Sequence, residues 1–130
     1  MAYLKPNAFV KSVFNKLAMM FGIGGAVTLI VKGRKSGTPQ SIPVIPVEQG
    51  GARYIVSTRG ESEWVRNLRA TGSCELQVGG KSTTYSATEI PAPERPPIIE
   101  AYRKVAGEKV VGGYFATLPD PADHPTFRLS

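Results

Sequence analysis

From Ala26 to Ile90 the chain is cut by glycine turns into short runs of β-forming residues. Ala26-Val27-Thr28-Leu29-Ile30-Val31 is apolar and β-branched, and the first predicted strand spans Ala26 to Lys32. Gly33-Arg34-Lys35-Ser36-Gly37 separates it from a second extended stretch, about Gln40 to Glu48. Pro43 and Pro46 mark that stretch as an edge or bulged strand, because proline cannot donate to a ladder. Gln49-Gly50-Gly51 reads as a hairpin turn and Arg53 to Thr58 as a third strand. Ser73 to Val78 and Ser82 to Ile90 form another hairpin around Gly79-Gly80, and Thr126 to Leu129 is a final strand. Ser62 is a plausible N-cap for a helix from Glu63 to Ala70, ended by Thr71-Gly72. A second helix is expected from about Glu94 to Val105, with proline-rich first-turn chemistry. Residues 107–125 read as loop-rich. Five or six antiparallel strands with little helix describe a mainly β (α+β) chain, a small closed barrel with short peripheral helices.

Residues 1–25 are read as an N-terminal amphipathic helix and linker, and 26–130 as the barrel domain. Asn7 caps a helix to about Met20, with Val10, Val13, Phe14, Leu17 and Phe21 on one face and Lys11, Asn15 and Lys16 elsewhere. Packing on the core is the simpler reading. Peripheral contact with the inner membrane face through residues 7–21 is the other, and a subunit interface, hence a homodimer, is a third. Phe21-Gly22-Ile23-Gly24-Gly25 is no dinucleotide fingerprint, since a third glycine would fall at Val27 and a strand follows. Leu17 to Val31 is too short and too glycine-broken to span a membrane, and no cleavage pattern marks a signal peptide. The expected location is cytoplasmic.

The formal charge of +6 over 130 residues favours a polyanionic partner: nucleic acid, an acidic membrane or a phosphorylated cofactor. Aromatic residues make up 8% and show no patterned stacking set, so no nucleic acid is expected. With one cysteine and one histidine, the chain can form no internal disulfide and owns too few N and S ligands for a zinc site. A Ser-His-Asp triad would rest on His124 alone.

Three elements carry candidate chemistry. Gly33 and Gly37 bracket two cations and a hydroxyl, a turn that can hold a phosphate through backbone N–H groups, Arg34, Lys35 and Ser36, and that is equally an ordinary basic hairpin turn. Ser57-Thr58-Arg59-Gly60 ends the third strand with small hydroxyls, a glycine and a charge, suited to a flat ring against the backbone or to a plain strand-to-helix loop. Trp64 and Leu68 share a helix face, with Asn67 beside Trp64. A buried Asn67 needs a partner, either a backbone group or the polar edge of a ligand.

Taken in this order, with Pro39 after the turn and His124-Pro125-Thr126-Phe127-Arg128-Leu129 at the end, these elements resemble the deazaflavin-dependent nitroreductase family over roughly residues 26 to 129. The resemblance implies a split β-barrel of about six strands that uses reduced coenzyme F420 as hydride donor to a quinone, nitro compound or activated enone. It implies that residues 33–37 grip the coenzyme's phosphate and that strand 41–44, with Ser41 and Pro43, and loop 57–60 flank the ring. Trp64, Val65 and Asn67 would close around the ring or its ribityl chain. The segment 102–118, with Tyr102, Tyr114 and Phe115, would face the substrate, and Tyr114 would line the pocket or donate a proton. The loop Arg59-Gly60-Glu61-Ser62-Glu63 is shorter and more charged than in the better-studied nitroreductases. An FMN oxidoreductase on the same barrel, a non-catalytic deazaflavin carrier and a small nucleic-acid-binding barrel stand as alternatives.

Overall fold

A computed structural model describes residues 27–78 and 80–130. Seven strands form one antiparallel sheet: β1 (Val27–Lys32), β2 (Pro39–Val44), β3 (Val47–Gln49), β4 (Ala52–Val56), β5 (Ser73–Val78), β6 (Lys81–Glu89) and β7 (Thr126–Leu129). Their order is β2-β1-β5-β6-β7-β4-β3. The two edge strands, β2 and β3, are joined only by Ile45 and Pro46. Three Cα–Cα steps span at most about 11 Å, so the sheet must curl until its edges nearly meet. The result is a split barrel, as expected, with its gap beside the β2–β3 link. The strand anticipated over 40–48 is two strands on opposite edges, because Pro46 removes a donor where the chain leaves β1. That division makes seven strands rather than six. Pro43 sits on the β2 edge, in register with Thr28.

Alternation along the strands sorts side chains between two cores. Inside the barrel lie Leu29, Val31, Val44, Ile55, Leu76 and Phe127, closed by Trp64, Val65 and Leu68 of α1 (Glu63–Thr71). Trp64 and Phe127 meet at a centroid separation of 6.0 Å. On the outer face, Val47 and Val56 pack against Ile98, Ile99 and Tyr102 of α2 (Pro96–Ala106) and against Val111 and Phe115 of α3 (Glu108–Thr117). Each fully buried aliphatic or aromatic side chain contributes about 1.5–3 kcal/mol, which fixes both helices on the sheet.

Helix α3 corrects the loop expected over 107–125. Gly112-Gly113 hides it in the sequence, since glycine is a poor helix former, but burial of Val111 and Phe115 against α2 outweighs that propensity. Ser62 occupies the N-cap position of α1, yet its side chain makes no capping bond. The helix anticipated over 7–20, and with it the membrane and subunit readings of residues 7–21, lies outside the described residues. No helix among the described residues is long and apolar enough to cross a membrane.

Candidate functional site

The gap in the barrel opens into a cavity of about 340 Å³. One wall is β2 and its exit, Gln40 to Ile45. Facing it are Val56 and the loop Ser57-Thr58-Arg59, with Trp64 from α1 and Tyr102 and Tyr114 from α2 and α3. Of the residues singled out in the sequence, Ser41, Pro43, Ser57, Thr58, Arg59, Trp64 and Tyr114 therefore come together on one cavity. Tyr102 belongs to the segment expected to face the substrate, and Ile42 and Val44 to the strand expected beside the ring; Ile45 and Val56 were not anticipated as lining. Their β-period is visible in the sequence, but not which face of the sheet meets the helices.

The loop that bounds the cavity is firmly held. Ser57 Oγ donates to the Gly60 carbonyl at 2.7 Å, and the Ser57 N–H donates to the Pro125 carbonyl at 2.9 Å. Gly60 has φ +79°, a left-handed conformation that a side chain would strain. Fully buried His124 places Nδ1 2.8 Å from the Ser57 carbonyl oxygen and Nε2 2.6 Å from that of Leu118. Its ring stacks on Phe115, 4.3 Å between centroids. His124 thus joins the cavity loop to the end of α3, the helix that carries Tyr114, a structural role unlike a catalytic triad.

The basic turn stands at the start of β2 and is anchored to α1. Asn67 Oδ1 accepts from the Arg34 N–H at 3.1 Å and from Arg34 Nη1 at 2.8 Å. Arg34 Nη1 also pairs with Glu63 at 2.8 Å and holds that carboxyl below the usual range. Within the turn, the Gly37 N–H donates to the Gly33 carbonyl and the Thr38 N–H to Ser36 Oγ. Gly33 N–H returns to the Thr38 carbonyl. Among the described residues this leaves the N–H groups of Lys35 and Ser36 without partners, at the tip of the turn, beside a lysine that no carboxylate pairs. Gly37 has φ +71°, and a Cβ at Gly33 would lie 3.0 Å from Ser36 Oγ, so each bracketing glycine has its own reason.

Gly33 to Gly37 and Gly60 do not line the cavity, and two more sequence candidates face elsewhere. Val65 is fully buried in the barrel core, and Asn67 spends its amide oxygen on Arg34. Among the described residues no cluster of His, Cys, Asp or Glu can hold a metal ion. A larger hollow, about 400 Å³, lies between α2 and the loop before β7; of the segment expected to face the substrate, Arg103, Lys104, Glu108 and Phe115 line it.

The family model for F420H(2)-dependent quinone reductases matches residues 8–113. The chain belongs to that family. As a member it is an oxidoreductase that depends on reduced coenzyme F420; nothing in the comparisons supports the FMN alternative. It is similar to the solved F420-H2 dependent reductase FDR-A, at 25% identity and TM-score 0.56, over 82% of this chain and 95% of that one. A domain-swapped dimer shares the fold at 19% identity and TM-score 0.62, covering 95% of this chain and 100% of the other. So does HutZ, the heme storage protein of Vibrio cholerae, at 13% identity and TM-score 0.59, covering 90% and 89%. No curated protein matches the chain.

Proposed function

We propose that this reductase holds coenzyme F420 along the basic turn with its ring in the barrel-gap cavity, against β2 and the loop 57–59, and reduces a small organic acceptor (a quinone, nitro compound or activated enone) in the part of that cavity toward Tyr114. The observation that carries this reading is the placement of the cavity at the gap, between β2 and the loop Ser57-Thr58-Arg59. Its donor set suits the coenzyme. Unpartnered N–H groups on Lys35 and Ser36, with the Lys35 ammonium, fit a phosphate. Thr58, Arg59 and the Ile42-Pro43 face suit a flat ring with polar edges. When bound, reduced F420 supplies the hydride.

Each protein group then has a distinct task. Lys35 and Ser36 bind. Arg34 and Asn67 keep the turn in shape without reaching the cavity. Gly60 and His124 keep the loop 57–60 rigid, and Trp64 forms part of the apolar wall that limits water. Tyr114, half-buried on the cavity, is placed to touch the acceptor or hand it a proton.

Titration of the apo-protein with oxidised and reduced F420, followed through the single tryptophan, tests the proposal. Lys35→Ala removes a charge-assisted contact and should weaken binding roughly tenfold to a hundredfold. Hydride transfer at saturating coenzyme should change far less, because a remote contact is made equally before and in the transition state. A folded Lys35→Ala variant that binds F420 as tightly as the parent chain would remove the turn from the site.

A further inference from the structure

Glu61 follows Gly60 at the end of the cavity loop and is buried, with 6% of its surface exposed. A buried carboxylate is costly unless a cation pairs with it. Its partner is Arg69 Nη1, from the last turn of α1. The same guanidinium turns its other edge to Glu89 at the end of β6, with Nε at 2.8 Å and Nη2 at 2.7 Å from the two carboxylate oxygens. Glu89 also accepts from Nη2 of buried Arg95 at 3.2 Å, and Arg95 donates to the Ile90 and Pro121 carbonyls at 2.7 and 3.0 Å. Four alternating charges thus run from the cavity loop, across α1 and β6, to the loop before β7. None of the four lines the cavity.

Arg59 is the only charged residue that does line it. It is half-buried, and no carboxylate pairs with it among the described residues. Glu61, two positions on, is the nearest carboxylate along the chain. Without Arg69, Glu61 would be an uncompensated buried charge beside an unpaired cation, and the two would turn to each other. Arg59 would then leave the cavity wall.

We infer that Arg69 is a positioning residue of this reductase: it draws Glu61 into the ion-pair chain, away from Arg59, and so keeps the Arg59 guanidinium turned to the cavity for the polar edge of the coenzyme ring. The inference rests on the reading of this cavity as the ring's site. Arg69 touches neither coenzyme nor acceptor, and its effect passes through Glu61.

The test is a double-mutant cycle on F420 affinity, read through the single tryptophan. Arg69→Met should weaken binding about tenfold in the parent chain, the share of one charge-assisted contact, and less than about twofold in an Arg59→Gln background. Adding Glu61→Gln to Arg69→Met should restore most of the lost affinity, since no carboxylate then competes for Arg59. Arg69→Lys keeps the charge without the two-edged fork, and gives the same coupling at smaller size should Arg69→Met not fold. Equal losses in both backgrounds, or parent-like affinity in a folded Arg69→Met chain, would overturn the inference. A second arm needs no coenzyme. The Arg59 Nε–H resonance should shift in Arg69→Met and return in Glu61→Gln/Arg69→Met; a resonance that stays in place also overturns it. If the resonance moves as expected and the parent chain does not bind F420, the coenzyme site is lost and the hold of Arg69 on Glu61 stands.

Discussion

Asn67→Ala asks whether a residue beside the site binds a ligand or holds the protein. The amide oxygen of Asn67 takes two bonds from Arg34, one from the backbone N–H and one from the guanidinium. A neutral bond contributes about 0.5–1.5 kcal/mol and one to a charged group about 1.5–3 kcal/mol, so Asn67→Ala should cost about 2–4 kcal/mol. Arg34→Ala keeps its backbone N–H, and in that background Asn67→Ala should cost only the neutral share. The difference is the coupling, expected at about 1–2 kcal/mol because the Arg34 side chain remains 24% exposed. The Arg34–Glu63 pair adds little, since the Glu63 side chain is 69% exposed. Urea unfolding of the four proteins supplies the cycle, and F420 titration of each supplies the functional arm. Asn67→Ala should lose stability and affinity together as the turn loosens, whereas Lys35→Ala should lose affinity alone. If Asn67→Ala costs under about 0.5 kcal/mol yet abolishes coenzyme binding, the amide faces the ligand and the anchoring role is wrong.

Two more outcomes follow from titrating groups. Glu89 is held below the usual carboxylate range by Arg69 and, more weakly, by Arg95. Its stabilising contribution is complete above the ordinary glutamate range and is lost as pH falls through the lowered value; Glu89→Gln should flatten that acid limb of the unfolding curve, and an unchanged limb would assign acid sensitivity elsewhere. Cys74 is buried on β5, and burial pushes its thiol up to about 11. At pH 8 the folded protein should resist iodoacetamide and the urea-unfolded chain should react fully, with mass spectrometry counting the adduct; rapid labelling of the folded state would refute the burial.

Most of the sheet was legible because its signals are local. Glycine turns and β-branched runs name their own positions, and β1, β5, β6 and β7 fall within a residue or two of where the pattern places them. The break at Pro46 was marked as an irregularity, but only pairing decides that the two pieces go to opposite edges of the sheet. Helix α3 was missed for a different reason. Gly112 and Gly113 speak against a helix, and what favours one is the packing of Val111 and Phe115 with α2, a tertiary fact.

The site divides along the same line. Composition and order pointed to the turn, the loop after β4 and the Trp64 helix, and the fold gathers β2, that loop and Trp64 onto one cavity. What a sequence cannot distinguish is a side chain that faces a ligand from one that holds the neighbour that does. Asn67 and Trp64 lie three positions apart on α1, yet Trp64 lines the cavity and Asn67 turns to Arg34. Tyr102 and Tyr114 present the converse case: two tyrosines in one segment, of which the less conspicuous is the more deeply buried. Burial combined with hydrogen-bond accounting makes that distinction, because most polar groups sheltered from water are paired within the protein, as Asn67 is by Arg34.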